Sequence, residues 1–401
     1  MKKIITVIIF ILITVLFYSA FNITAAAKET NNAELRYAAN DLDKEVDGQL
    51  DNINTEEIDG FLKTLSEFES SVFGKYTFKE KVKSIINGDF KIGYDNLFSA
   101  LLGLFFSEIF NLLPLFSVIL LISVLCGLLK SVNSDFIKEG TGNVIFLVCY
   151  CAVLILVLTL IIPLINNTLS TIKTLVSQMN VIMPILLTLM AASGGTVSAK
   201  VYSPAAVFLS NGIVNIIISA VFPLLMLILT FSIVGNISGN IKLNNFIAFF
   251  KSVIKWLLGI LLTVFTVFLS VQGITSASFD GISVKAAKYA VGNSIPIIGN
   301  FLKDGFDLIL AGSILIKNSI GSVAILLIAV IIFFPLIAII AVSLLMRLTA
   351  GVTEVIADSK ITGFLTSTAN MLNYLVAALL CAGFMYFITI MLFIISSNSI
   401  L

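Results

Sequence analysis

Very few residues in this sequence could carry catalytic chemistry. Histidine, the commonest general base and metal ligand, is absent. The cysteines all lie within apolar runs and show no metal-ligand spacing: Cys126, Cys149, Cys151 and Cys381. We therefore predict that they pack as small buried hydrophobic side chains. The sequence also has no phosphate-binding loop, no zinc-protease motif and no serine-hydrolase elbow.

The acidic residue that interrupts a long apolar run is Glu108. An ionisable residue at depth in a bilayer is a functional candidate, although the spacing here places Glu108 at the start of a span, where an interfacial carboxylate is common. An intramembrane aspartyl protease would need acids in two spans, and a rhomboid-type protease would need a histidine. We therefore predict a protein that is not an enzyme and that uses no cofactor and no metal.

The composition places most of the chain in lipid. Hydrophobic residues make up 58% of the sequence, charged residues 12%, and the mean hydropathy is +1.08. A soluble domain has roughly 45–50% apolar and about 25% charged residues, so a soluble fold could not bury this excess. The net charge of +1 and the lack of a basic patch argue against nucleic acid as a partner.

The N-terminal part predicts a signal sequence followed by a small head. Residues 1–27 combine two lysines, an apolar stretch and Ala25-Ala26-Ala27, which predicts a signal peptide; cleavage and retention as an anchor both stay open. Residues 28–96 hold 15 of the 23 acidic residues and nine of the 24 basic ones. Thr77 and Glu80 fit a capping box that begins a helix. We predict an acidic, helical, extracytoplasmic head.

The remainder, residues 97–401, predicts an all-α polytopic transmembrane domain of about six spans. The first apolar run is too long for one crossing and is interrupted by Glu108, Asn111 and Pro114, so we expect an interfacial helix before the first span. The predicted spans are Ile109–Leu129, Asn143–Ile165, Val207–Val234, Trp256–Gln272, Ser322–Met346 and Leu372–Ile395. The predicted signal peptide indicates their orientation more firmly than the weak bias of the loop charges does.

Prolines suggest an internal repeat. The distance in sequence from Pro184 to Pro223 is the same as that from Pro296 to Pro335. This predicts a parallel repeat over about 170–272 and 282–384, with proline-broken segments near a pore. The apolar stretches 181–192 and 308–316 are too short to span. They suit interfacial or re-entrant helices, or they belong to miscounted spans.

The order of these parts resembles that of the stage III sporulation protein AE family of endospore-forming bacteria. The resemblance is carried by the signal peptide, by Thr77-Phe78-Lys79-Glu80-Lys81 and Ile86-Asn87-Gly88 at the end of the head, and by Ile295-Pro296-Ile297-Ile298-Gly299 through Gly312 to Lys317-Asn318-Ser319-Ile320-Gly321. It covers nearly the whole chain.

The resemblance implies a function that the residues alone do not. Members of this family belong to a multi-protein complex in the mother-cell membrane around the forespore. With other stage III sporulation proteins, and indirectly with stage II sporulation protein Q, they form a channel or secretion-like apparatus that supports late forespore development. The resemblance implies no catalytic residues.

Two other functions are compatible with the residues. A free-standing permease for a small solute would need polar groups facing a cavity, and the candidates are Asn211, Asn215, Ser219 and Asn373. A purely structural scaffold would tolerate substitution at Pro223 and Pro335.

Overall fold

The computed structural model describes residues 44–51, 56, 59–60, 77–87, 94–136, 139–237, 243–294, 299–356 and 358–396. Within these ranges the structure is helical and contains no strand. The predicted signal peptide, residues 1–27, and Pro296 lie outside the described residues.

Eight α-helices follow the short helical segment 44–51. They are α1 (Phe78–Ile86), α2 (Tyr94–Phe136), α3 (Glu139–Ala192), α4 (Thr196–Ile216), α5 (Phe222–Ile237), α6 (Asn244–Ser294), α7 (Gly299–Ile356) and α8 (Ser359–Ile395). A π turn, Ile217–Val221, joins α4 to α5 into one long helix.

Among the residues that the structure describes, six helical stretches are long and apolar enough to cross a membrane, which confirms the predicted number of spans. They are Leu102–Leu129, Val144–Ala192, Asn211–Ile237, Asn244–Phe268, Asp307–Val355 and Ser359–Ile395. The protein is therefore an all-α polytopic membrane protein.

The long helices alternate in direction, so the bundle has two distinct ends. Tyr150 near the start of α3 donates a hydrogen bond to the carbonyl of Ile233 near the end of α5 (3.0 Å) and contacts the ring of Phe364 near the start of α8. At the opposite end, Tyr202 of α4 contacts Phe393 of α8. We call the end with the short connections 137–138, 238–243 and 357 the hairpin end, and the other the head end.

Helix α8 occupies the centre of the bundle. Its buried residues run from Ile361 to Phe393 and include Leu365, Leu372 and Leu379. Helices α3, α4, α5, α6 and α7 all pack against it, and α7 does so most extensively. A helix that is apolar on all sides is buried, and here protein rather than lipid buries it.

A belt of exposed, large hydrophobic side chains marks where lipid contacts the bundle. The belt runs from Phe334 to Val355 on α7, from Phe246 to Phe268 on α6, from Val144 to Ile162 on α3 and from Leu102 to Leu129 on α2. At 1.5 Å per residue the first three stretches are about 27–33 Å tall, close to a hydrocarbon core of about 30 Å, and the stretch on α2 is about 40 Å tall. The first three stretches lie at the hairpin end, and the stretch on α2 extends further towards the head end.

Helix α2 is continuous where the sequence predicted a break. It runs for 43 residues through Glu108, Asn111 and Pro114, so the predicted interfacial helix before the first span is wrong. A transmembrane helix tolerates a proline when the freed carbonyl finds another donor, and the exposed position of Pro114 leaves its ring without a steric conflict in the core.

The two apolar stretches that were predicted to be separate helices are parts of the long helices α3 and α7. Residues 181–192 continue α3, which is 54 residues long, and residues 308–316 continue α7, which is 58 residues long. The polar residues before 181 were expected to form a loop. Their hydroxyls instead donate to carbonyls of the preceding turn, as Thr168 does to Leu164 (2.7 Å) and Thr174 to Ser170 (3.1 Å).

The internal repeat remains a prediction. Pro223 follows the π turn on α5 and is exposed, whereas Pro335 lies inside α7 and is buried. Pro184 cannot be compared with Pro296, because Pro296 lies outside the described residues.

Close packing of α7 on α8 generates the first testable prediction. A Cβ atom added at Gly383 would lie 2.1 Å from Cδ1 of Ile332, so Gly383→Val must push the two helices apart or force Ile332 into a new rotamer. Overpacking of this kind costs about 1–3 kcal/mol. We expect a lower midpoint of thermal unfolding for the purified protein in detergent.

Gly259→Val is the matched control, since nothing lies within 4 Å of a Cβ at Gly259 on the exposed side of α6. Equal thermal midpoints for the two variants would contradict the tight α7–α8 contact.

Candidate functional sites at the two ends of the bundle

At the head end, the head packs onto the first part of α7. Apolar side chains from segment 44–51 and from α1 are buried together with the bundle: Val46, Leu50, Phe78, Val82 and Ile85. Helix α1 contacts α7 directly. Val46 and Leu50 are four residues apart, on one face of the helical segment 44–51, and both are buried.

Polar contacts fix the position of the head on α7. The side chain of Gln49 donates to the carbonyl of Ile309 (3.2 Å) and accepts from the hydroxyl of Ser313 (3.0 Å). Ser313 is 1% exposed, so the docked head covers it. The 308–316 part of α7 therefore serves as the platform for the head.

Helix α1 begins at the predicted capping box. The hydroxyl of Thr77 accepts from the backbone N–H of Glu80 (3.4 Å), and the carboxylate of Glu80 accepts from the backbone N–H of Thr77 (2.7 Å). Ion pairs join α1 to segment 44–51, with 2.7 Å between Lys83 and Asp47 and 3.6 Å between Lys79 and Asp51. These pairs hold the two head helices side by side.

At the hairpin end, a polar cleft of about 590 Å³ opens between α6, α7 and α8. Its lining includes one base and one acid, Lys251 and Glu354, and no ion pair joins these two described residues. The rest of the lining is mostly amides, hydroxyls and small residues: Asn244, Ile247, Ala248, Ser359, Thr362, Gly363, Thr366, Ser367 and Asn370.

Hydrogen bonds hold the walls of the cleft. Arg347 donates to the side-chain oxygen of Asn370 (3.0 Å), which leaves the NH₂ group of Asn370 as a donor at the wall. The hydroxyls of Ser232 and Ser367 are 2.8 Å apart and join α5 to α8. The carboxylate of Asp358 caps α8 by accepting from the N–H of Lys360 (2.9 Å).

The candidate residues from the sequence do not come together. Glu108 is half-buried on α2 and lies inside the first span rather than at its start. Pro184 is exposed on α3, Pro223 is exposed on α5, and Pro335 is buried in α7. None of these four lines the cleft.

Pro223 has a visible local effect. It has no N–H to offer the carbonyl of Ser219, four residues earlier, and the π turn Ile217–Val221 stands at this point of the helix. A π turn widens the helix and accommodates the missing hydrogen-bond donor. Such turns are frequent at functional sites.

Comparison with known proteins decides the family. The sequence model of the family described as stage III sporulation protein AE matches residues 76–397, which is most of the chain. The chain belongs to the stage III sporulation protein AE family. It is 28% identical over 320 residues to stage III sporulation protein AE of Bacillus subtilis (strain 168), covering 80% of each chain. No solved structure matches the chain.

The family match begins just before α1 and extends almost to the end of the chain. It therefore includes the capped head helix together with the bundle on which that helix packs. In this family member the docked α1 and the six spans form one structural unit, and the cleft lies within the same matched region.

Sequence reasoning missed the cleft. The candidate residues from the sequence included neither Lys251 nor Glu354. One signal was available, because basic residues follow the 238–243 connection and both basic and acidic residues flank the 357 connection. Charges that recur at one end of neighbouring helices indicate a shared polar surface.

The head generates a second prediction, which rests on Lys81. This residue is 3% exposed, and burial lowers its pKa to about 8. In the undocked head the pKa would return towards 10.5. Between these values the undocked state binds more protons, so docking becomes more stable as the pH rises from about 8 to 10.5. Lys81→Met should remove this pH dependence.

Docking can be measured by alkylation of a cysteine at Ser313 in a background without the four native cysteines. We expect alkylation, corrected for thiol ionisation, to slow in the unaltered head as the pH rises from about 8 to 10.5, and to stay constant in Lys81→Met. Thr196→Cys, exposed at the same end, corrects for the effect of pH on the thiol. Lys44→Met, which removes an exposed lysine of the head, is the control and should change nothing.

Proposed function

We propose that this protein is a non-enzymatic membrane subunit of a sporulation channel or secretion-like complex between mother cell and forespore. Membership of the sporulation family supports the setting, and the six spans support the location in a membrane. Its partners would be other stage III sporulation proteins, with stage II sporulation protein Q reached indirectly. The protein would also contact the lipid bilayer.

The observation that carries the proposal is the height of the bundle above its lipid belt. From Phe334 to Gly299 the helix continues for about 50 Å at 1.5 Å per residue, and over this stretch the exposed large hydrophobic side chains among the described residues are Ile309 and Leu315. Helix α3 packs against α7, and the head docks near the start of α7. A rigid projection of this size suits a subunit that reaches proteins outside its own membrane.

In this proposal the head end faces the space between the two membranes and the hairpin end faces the mother-cell cytoplasm. The predicted signal peptide supports that orientation, because it would deliver the head out of the cytoplasm. The basic residues Lys251, Lys255 and Lys360 near the hairpin end agree with the positive-inside tendency.

The filled centre of the bundle bears on how such a subunit would act. Helix α8 occupies the axis, and from Met371 to Phe393 most of its side chains are buried. A solute path would therefore run between subunits or along the outside of the bundle. A free-standing permease finds less support: Asn215 and Ser219 are exposed, and the Ser219 hydroxyl donates to the Asn215 carbonyl on the same helix.

Orientation can be tested with single cysteines that the structure places on the surface. Ser170 and Thr196 are exposed at or near the head end, and Asn245 and Ser359 are exposed at the hairpin end. A membrane-impermeant thiol reagent added outside the cell should label the first pair and leave the second pair unlabelled until the membrane is opened. Labelling of Ser359→Cys in intact cells would reverse the proposed orientation.

The assembly role requires a separate experiment in sporulating cells. A photo-crosslinking residue at Thr196 should capture another stage III sporulation protein, whereas the same residue at Val264 in the lipid belt should not. Equal capture at both positions, or capture at Val264 alone, would contradict a projection that serves as the docking end.

A further inference from the structure

The outer side of α2 carries a row of exposed, large hydrophobic side chains, which we call the α2 stripe. It consists of Leu102, Phe106, Phe110, Leu113, Val118, Leu121, Leu125, Leu128 and Leu129. The stripe is about 40 Å long at 1.5 Å per residue, whereas a hydrocarbon core is about 30 Å thick. The neighbouring helix α3 indicates which part of the stripe lies outside the hydrocarbon.

The exposed face of α3 changes from apolar to polar part-way along the helix. The last exposed, large hydrophobic side chain on α3 is that of Ile162. Further towards the head end, α3 exposes polar side chains, among them Asn166, Ser170 and Lys173. Polar side chains of this kind are not stable against hydrocarbon, so α3 leaves the lipid between Ile162 and Asn166.

The upper part of the α2 stripe lies at the same height as these polar residues. Helices α2 and α3 pack side by side and are joined by the connection 137–138. Phe110 is 26 residues from the hairpin end of α2 and Asn166 is 27 residues from that of α3, so both are about 40 Å from the hairpin end at 1.5 Å per residue. By the same count Leu102 and Lys173 are each 34 residues away, or about 51 Å.

Three large hydrophobic side chains of α2 are therefore exposed outside the hydrocarbon. Leu102, Phe106 and Phe110 are 42%, 52% and 66% exposed. An apolar patch of this kind on a surface that faces water marks a contact with another protein.

The length of the stripe restricts the kind of partner that covers it. Lipid would cover the part from Leu113 to Leu129 and leave the upper part in water. A soluble protein would cover only the part from Leu102 to Phe110. A partner for the whole stripe must lie in the same membrane and continue above it along the same line.

A second copy of this chain has a surface with these properties. Copies in one membrane share the same depth and direction, so a two-fold axis along the membrane normal places stripe against stripe at matched heights. The nine side chains are each about half exposed, and their combined area is comparable to the roughly 800 Å² that each partner contributes to a standard interface.

Small residues on the same side of α2 allow the two helices to approach closely. Gly103 is exposed, and a Cβ atom added there would have nothing within 4 Å. Ser117 is also exposed and lies one turn from both Leu113 and Leu121. Its hydroxyl donates to the carbonyl of Leu113 (2.8 Å), so the group is satisfied within the helix. Small residues at such positions are typical of helix pairs in membranes.

We infer that two copies of this chain pair in parallel through the α2 stripe, with a contact that begins in the lipid and continues for about 12 Å above it, from Phe110 to Leu102, at 1.5 Å per residue. The pair holds two projections side by side with their head ends in the same direction. This inference is independent of the sporulation complex, since it concerns only contact between identical chains.

The pairing can be tested by disulfide crosslinking of the full-length protein. Ser117→Cys, in a background without the four native cysteines, places a thiol in the stripe. The protein is produced in the membrane of a bacterium that forms no spores, so that other stage III sporulation proteins are absent, and the thiols are oxidised with copper phenanthroline. A disulfide needs Cα atoms within about 7 Å, a distance that residues near a two-fold axis between packed helices can reach.

Thr159→Cys on α3 is the matched control. Thr159 is an exposed hydroxyl residue about 30 Å from the hairpin end, and Ser117 is about 28 Å from it, so both thiols lie at nearly the same depth. We expect the dimer to form at least tenfold faster with Ser117→Cys than with Thr159→Cys.

Variants connect the pairing to the part of the stripe above the lipid. Phe106→Gln combined with Phe110→Gln should slow crosslinking through Ser117→Cys by at least tenfold. Phe246→Gln combined with Phe249→Gln is the control, because these α6 side chains are similarly exposed, at 57% and 59%, and the crosslinking rate should not change. All four side chains are exposed, so both double variants should keep the thermal unfolding midpoint of the Ser117→Cys protein. This measurement separates loss of pairing from loss of folding.

Three results would overturn the inference. They are equal crosslinking through Ser117→Cys and Thr159→Cys, no dimer with Ser117→Cys, and an unchanged crosslinking rate when Phe106 and Phe110 are both replaced. If Ser117→Cys gives no dimer here but is crosslinked to a different membrane protein in sporulating cells, the stripe belongs to that partner and the inference is equally wrong. Because the membrane contains no other sporulation protein, a failure of the proposed function would leave a positive result unchanged.

Discussion

The burial of α8 beyond the cleft is the constraint on which the rest of the fold depends. Apart from the side chains that line the cleft, this 37-residue helix is mostly apolar and must be covered by other helices, and α7 covers most of it where Gly383 and Gly321 allow close approach. Two of its buried hydroxyls are satisfied within the helix, as Thr368 donates to the carbonyl of Phe364 (2.9 Å) and Thr389 to that of Met385 (2.8 Å). Because neither of these groups needs a distant partner, α3, α4, α5 and α6 can pack around the same axis.

The second constraint is the mismatch between helix length and bilayer thickness. Helices α3 and α7 are long enough to cross a bilayer of about 30 Å more than twice, yet the lipid belt occupies only their hairpin-end portions. Above the belt the bundle has the character of a soluble core with polar groups inside. Gln178 donates to the carbonyl of Ala324 (2.9 Å), and the ammonium of Lys317 donates to the carbonyl of Ser396. That region offers the head a protein surface rather than a membrane on which to pack.

Composition and periodicity were sufficient to predict the all-α membrane class, the number of spans and the start of α1. Each of these depends on local chemistry, namely apolar runs for the spans and the Thr77–Glu80 pair for the cap. The predictions were wrong where polar residues were interpreted as a loop. Thr168 and Thr174 are polar in the sequence, but their hydroxyls bond within the helix, so α3 continues to Ala192. The cleft could not be found in this way, since Lys251, Glu354 and Asn370 meet only through the packing of three helices that are distant in sequence.

Helix α7 joins the two candidate sites. Near one end it carries Ile309 and Ser313, which hold Gln49 of the head, and near the other it carries Glu354, which lines the cleft. Between these points it is packed along α8 without a break, and its one internal proline, Pro335, is buried within the helix. One helix therefore links the docked head to the wall of the cleft, and Pro335, which has no N–H for the carbonyl four residues earlier, stands between them. A force that a partner applies to the projection is carried towards the cleft along this helix, through its contact with α8.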